Sequence, residues 1–307
     1  MQGCPWGTVT WYIVSAERGA MLHVIISPAK QMRIARDSFS PRGIPPFPDA
    51  TARLYQALLA IERASGADGL KELWRVNDKL LAQNVERLHA FVPVRDAAQL
   101  EEPGIARTVS PAAFSYIGIQ YQSLAPEVLD LDALAWLEEH LWILSGFYGC
   151  VRPFDAVEPY RLEMGARLAV DGARDLYAFW GDRIARAIEG DATGCADTAF
   201  EPAVIVNLAS VEYAKAVLPH TASTTQVITC IFGEELRGGK PVQRATASKI
   251  ARGSMVRWMA EQRIEHARDL AQFDVGYRHA PEFDRERRLK TGATERTLTF
   301  IRNDSAA

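Results

Sequence analysis

Leu22-His23-Val24-Ile25-Ile26 is a short, nearly continuous apolar run that stops at Ser27-Pro28. A segment of that length with apolar side chains on both faces suits a strand buried from both sides. Proline ends it because it brings no amide hydrogen to a ladder. Ala203-Val204-Ile205-Val206-Asn207 and Val227-Ile228-Thr229-Cys230-Ile231-Phe232 repeat the pattern. A sheet of such strands needs cover on both faces, so the intervening stretches should supply helices.

Their spacing agrees. Asp49 is placed to cap a helix carrying Leu54, Leu58 and Ile61, which ends at Ser65-Gly66. Further amphipathic helices are expected over residues 69–90, 131–144, 175–188 and about 249–268, and another begins at Ser210. Gly238-Gly239 marks a turn, and residues 297–301 read as an edge strand. The two kinds of signal alternate without repeats or a low-complexity linker. The expected fold class is therefore α/β (mixed α+β), a single compact domain over residues 21–303 with a mixed sheet flanked by helices. Residues 1–20 are read as an extension outside that fold.

The chain has 307 residues, 48% hydrophobic and 24% charged, with a formal net charge of −3. That balance argues against nucleic-acid binding by overall charge, as in histones, but leaves room for a local basic cleft. Cys4, Cys150, Cys195 and Cys230 lie far apart and form no CxxC pair, which suits isolated, packed thiols in a reducing compartment. No apolar run approaches the roughly twenty residues that span a bilayer. The apolar stretch over residues 8–14 has no Lys or Arg before it, unlike a signal peptide. A cytoplasmic protein without membrane contact is expected.

Three segments gather polar groups, two of them beside predicted strand ends. Ser27-Pro28-Ala29-Lys30 follows the first strand, where ligands of α/β sheets tend to lie, and its hydroxyl and ammonium suit phosphate or carboxylate. Asn207-Leu208-Ala209-Ser210 follows the second in the same way, with Ser210 as helix cap. The densest segment is Leu144-Ser145-Gly146-Phe147-Tyr148-Gly149-Cys150-Val151-Arg152-Pro153-Phe154-Asp155, continuing to Pro159-Tyr160-Arg161-Leu162-Glu163-Met164-Gly165. Tyr148, Arg152, Tyr160 and Arg161 there suit phosphate contact and base stacking. Asp155 and Glu163 equally suit an ion-pair network that pins the loop. The Leu144–Gly149 stretch also has a loose likeness to the hairpin of a helix-hairpin-helix DNA module. Lys249-Ile250-Ala251-Arg252-Gly253 places cations near the start of the last helix, where they call for an anion or an acidic partner. The six histidines are scattered, with no HxxxH or HExxH spacing, and no Walker, GxGxxG or GxSxG motif occurs, so neither a metal nor a cofactor is expected.

These segments together resemble the YaaA peroxide-stress protein family over roughly residues 21–303. The resemblance rests on Ile26-Ser27-Pro28-Ala29-Lys30, Asn77-Asp78-Lys79-Leu80, Leu144-Ser145-Gly146-Phe147-Tyr148-Gly149, Arg152-Pro153-Phe154-Asp155 and Pro159-Tyr160-Arg161-Leu162-Glu163-Met164-Gly165. Phe179-Trp180-Gly181-Asp182, Asn207-Leu208-Ala209-Ser210 and Ala251-Arg252-Gly253 extend it. Gly118-Ile119-Gln120-Tyr121 departs from the family's acidic Gly-Asp-Val-Tyr pattern. The resemblance implies a cytoplasmic protein of the hydrogen-peroxide response that limits free iron and thereby DNA damage, and that binds double-stranded DNA in a positive cleft. The residues it carries over are Lys30, Lys79, Arg152, Arg161 and Arg252.

The candidate anion or nucleic-acid site thus comprises Lys30, Lys79, Tyr148, Arg152, Tyr160, Arg161, Asn207, Ser210 and Arg252. Its partner is double-stranded DNA or, alternatively, a phosphorylated small molecule such as a nucleotide or nucleoside derivative on which the protein acts as an enzyme. For that second case Tyr148, Asp155, Glu163 and Tyr213 are candidate acid, base or orienting groups. A monomer is expected.

Overall fold

The computed structural model describes residues 21–190 and 203–303. The expected extension at residues 1–20, with its apolar stretch, and Cys195 lie outside the described residues.

The main sheet has eight strands: β1 (Leu22–Ile26), β2 (Leu141–Ser145), β3 (Gly149–Val151), β4 (Val204–Asn207), β5 (Gln226–Gly233), β6 (Tyr277–His279), β7 (Arg285–Arg288) and β8 (Thr294–Arg302). Its spatial order is β6-β8-β5-β4-β1-β2-β3, with β7 also on β8. The β1–β2, β1–β4, β4–β5 and β5–β8 pairs are parallel, while β3, β6 and β7 join antiparallel. This is the mixed α/β architecture expected. The β1, β2 and β4 strands are buried at every residue, as continuous apolar runs covered on both faces should be. One hydrophobic cluster runs through the sheet and its helices, from Leu22 to Phe300.

Several boundaries fall differently from the sequence reading. The helix expected over 131–144 ends at His140 and passes straight into β2. Leu141 and Leu144 continue the helical stripe of Leu134 and Leu137, yet with Trp142 and Ile143 they also form a run apolar on both faces. Periodicity does not separate those two readings. Residues 297–301 belong to an internal strand: β8 pairs with β5 on one side and with β6 and β7 on the other. Helix α1 (Pro48–Trp74) starts with Pro48, carries Asp49 in its first turn without a side-chain cap, and resumes beyond a break at Gly66 (φ 63°, ψ −165°). Asn77 caps α2 (Asp78–Ala90) through the Leu80 amide, so the helix expected over 69–90 is split. Gly181, at φ 53°, likewise divides 175–188 into two short helices.

Helices α3 (Ile119–Leu124) and α4 (Leu131–His140) pack against α6 (Ala245–Gln262), the last long helix, while α5 (Val211–Ala214) is a single turn after β4. The α3–α6 contact is backbone to backbone. A Cβ on Gly253 would stand 2.0 Å from the Gln120 carbonyl oxygen, so only glycine fits there.

Candidate functional site

Taken in chain order, the five parallel strands are β1, β2, β4, β5 and β8, and they lie in the sheet as β2-β1-β4-β5-β8. The chain leaves β1 in one direction and β4 in the other. Such a reversal opens a crevice beyond the carboxyl ends of the two central strands. A cavity of about 480 Å³ occupies this place, lined by the residues that follow β1, the turn after β4, the segment around Tyr160, and the faces of α3 and α6.

The floor is a stapled pair of strand ends. The Ser210 amide donates to the Ser27 hydroxyl at 2.8 Å, and that hydroxyl lies 3.2 Å from the Ser210 hydroxyl. Ser210 holds the N-cap position of α5, but its side chain caps nothing and is turned toward Ser27 instead. The Ser27 carbonyl accepts from Tyr121 Oη at 3.0 Å and from Gln120 Nε2 at 3.1 Å, which ties α3 to the end of β1. The Gly146 turn of the β2–β3 hairpin packs so closely on the opposite wall that a Cβ would stand 2.6 Å from the Leu162 carbonyl.

Among the described residues four cations and two carboxylates line the cavity, an excess of positive charge. Lys30, its side chain 70% exposed, and Arg161, 10% exposed, both reach Glu163 Oε1, at 3.3 and 2.6 Å. Arg161 also donates to the Lys30 carbonyl at 3.2 Å. Glu212 accepts from the Gly165 amide at 2.8 Å. Lys249 stands exposed at the rim. Arg252 differs from the others. Its Nε is buried without an acceptor, as that of Arg161 also is, but no carboxylate of the described residues pairs with it, and burial pulls its pKa down. Burial also holds Tyr121 and Tyr213 well above the usual phenol range, so both stay protonated.

Of the nine residues singled out by sequence, Lys30, Tyr160, Arg161, Ser210 and Arg252 converge on this cavity. The other four stand apart from it. Arg152 lies over the Trp142 ring, 4.4 Å from its centroid, and donates to the Glu138 and Glu139 carbonyls, where it caps the C-terminal turn of α4. Tyr148 is buried, its hydroxyl exchanging hydrogen bonds with the Glu158 backbone. Asn207 binds Thr229 Oγ1 and the Ala209 amide, shaping the turn that delivers Ser210. Lys79 is exposed in the first turn of α2. Of the candidate acid and base groups, Glu163 and Tyr213 line the cavity, whereas Asp155 is buried beside Arg152, accepting from its amide at 2.8 Å.

The 144–149 stretch is not a helix-hairpin-helix turn. It is the buried β-hairpin between β2 and β3, and the Phe147 and Tyr148 amides are spent on Ser145 Oγ. Spacing arguments pass over Gln120 and Tyr121, which stand out in the sequence only as part of the departure from the acidic family pattern. Ile119 of that stretch lines the cavity and brings it no charge. Among the described residues no group of His, Cys, Asp and Glu could hold a metal ion, and no helix is long and apolar enough to cross a membrane.

Fold and site define an α/β protein with a cationic crevice at the reversal of its strand order. The chain belongs to the family described as peroxide stress protein YaaA, whose pattern it matches over residues 21–283. Similar relatives are UPF0246 proteins. One from Pediococcus pentosaceus is 38% identical over 82% of this chain and 90% of its own length. One from Lachnoclostridium phytofermentans is 36% identical over 92% and 98%, and one from Lactiplantibacillus plantarum is 39% identical over 82% and 91%.

Proposed function

We propose that this member of the YaaA family serves the peroxide-stress response, in the cytoplasm, by holding a phosphorylated ligand of nucleotide size in the cavity between β1 and β4. The observation that carries this reading is Arg252, a largely buried guanidinium that lines the cavity with no anion of its own among the described residues. An unpaired buried charge costs stability, and a bound phosphate offsets that cost through charge-assisted hydrogen bonds. Size points the same way. Small-molecule sites run from about 300 to 1,000 Å³, and this cavity is about 480 Å³.

Double-stranded DNA is the second reading, favoured by the exposure of Lys30 and Lys249 at the rim. On that reading a part in limiting iron-dependent oxidative damage would pass through the DNA itself. Calorimetric titration with inorganic phosphate, adenosine monophosphate and a short duplex, at low and physiological salt, separates the two. The small-ligand reading expects saturable mononucleotide binding that Arg252→Gln weakens about tenfold or more. Duplex binding that falls steeply with salt, with no competition from mononucleotide, gives the place to DNA.

A further inference from the structure

Ser145, Tyr116 and Tyr160 form a chain of three hydroxyls that reaches the cavity at Tyr160, and counting their hydrogens fixes its direction. Ser145 is fully buried. Its oxygen accepts the amides of Phe147 at 3.1 Å and Tyr148 at 2.8 Å, which uses both of its lone pairs. The Ser145 hydrogen then has one acceptor, Tyr160 Oη, at 2.7 Å. Tyr116 is buried as well, and its hydroxyl has a single hydrogen-bond partner among the described residues, Tyr160 Oη again, at 3.1 Å.

Two directions are open to the Tyr116–Tyr160 bond. If Tyr160 donated, the Tyr116 hydrogen would be buried with no acceptor, at a cost of about 1–3 kcal/mol. If Tyr116 donates, every buried hydrogen is satisfied and only the Tyr160 hydrogen is left over. Tyr160 is the member of the chain that lines the cavity. The second arrangement wins.

We infer that Tyr160 is a hydrogen-bond donor aimed into the cavity, meeting a phosphate oxygen of the ligand with a phenol whose own oxygen already accepts from Ser145 and Tyr116. The inference rests on the anion reading of the same cavity and adds a contact to it. Donation into the phenol oxygen polarises its O–H bond and strengthens the hydrogen bond that it gives. The ring is fixed for this task, stacked on Phe147 at 5.1 Å between centroids and met edge-on by Tyr148 at 5.2 Å. Burial raises the Tyr160 pKa to about 12 against the opposing pull of Ser145, Tyr116 and Arg161, so the hydroxyl keeps its hydrogen at neutral pH. Tyr160 therefore acts on the ligand as a donor and not as a base.

The test is a double-mutant cycle read by calorimetric titration with inorganic phosphate and by thermal melting. Tyr160→Phe should weaken phosphate about tenfold or more and also lower the melting temperature, because it strands the Ser145 and Tyr116 hydrogens. Adding Tyr116→Phe removes one stranded hydrogen. The double variant should regain part of the melting temperature while phosphate binding stays lost. If binding returns together with stability, Tyr160 acts through the fold and the inference is overturned. If Tyr160→Phe binds phosphate like the parent while Arg252→Gln does not, the inference fails and the anion site stands. If the parent itself binds neither phosphate nor adenosine monophosphate, both fall.

Discussion

The Ser210 amide donates to the Ser27 hydroxyl at 2.8 Å, a contact between residues 183 positions apart in the chain. It joins the ends of β1 and β4, where the order of the parallel strands reverses. This hydroxyl ties the two strand ends together at the floor of the crevice, and its removal should be felt in two ways.

Ser27→Ala leaves the Ser210 amide without its acceptor. The unfolding free energy should drop by about 1–3 kcal/mol in a denaturant titration. Phosphate affinity should fall as well, since the two strand ends lose their fixed spacing. A variant with unaltered denaturation midpoint and unaltered affinity would remove the staple from the account of the site.

Gly253→Ala tests the backbone contact between α3 and α6. The added methyl would stand 2.0 Å from the Gln120 carbonyl oxygen, so the helices must separate. Overpacking of this kind costs about 1–3 kcal/mol, and more where backbone must move. Gly104→Ala, with nothing within 4 Å of its new methyl, is the control and should melt at or slightly above the parent temperature.

Glu158 predicts a pH dependence. Burial raises its pKa from 4.5 to about 7, against the pull of the hydrogen bond from the Val92 amide. The fold prefers the protonated acid, so its contribution to stability is full below pH 4.5 and is lost as pH rises toward 7. Glu158→Gln carries no such charge. Its melting temperature relative to the parent should climb across that window and level off above it. A constant difference from acid to neutral pH would refute the assignment.

Cys150 and Cys230 should resist oxidation in the native protein. Both are free, almost fully buried, and pushed well above the usual thiol range by burial. The thiolate is the reactive form, so each should stay unmodified when native protein is treated with hydrogen peroxide or iodoacetamide and become labelled in denaturant. Peptide mass spectrometry reads each position separately. Rapid native labelling of Cys150 would reveal an opening motion that its burial does not suggest.

Much of the fold was legible because its central strands are buried on both faces: β1, β4 and β5 announce themselves as short apolar runs closed by polar turns. The β2 strand hid behind α4 because no residue separates them and the leucines keep helical spacing through the junction. Site residues were legible where an irregular loop carried charge, as at Lys30 and Arg161. Arg152 stands in equally suggestive surroundings, but its guanidinium lies on Trp142 and under the last turn of α4, a use that depends on tertiary neighbours. Gln120 and Tyr121 were invisible for the converse reason. Their task is to hold the Ser27 carbonyl, which lies more than ninety residues away in sequence.

Glu163 sits between Lys30 and Arg161 as an anion the protein carries within itself. A visiting phosphate therefore meets two of the cations already engaged and must share them with a carboxylate or displace it. Anion binding as proposed would there exchange one negative group for another, which would favour visitors of higher charge over singly charged ones. The resting crevice is in this sense already occupied, and selectivity begins with what can outbid the occupant.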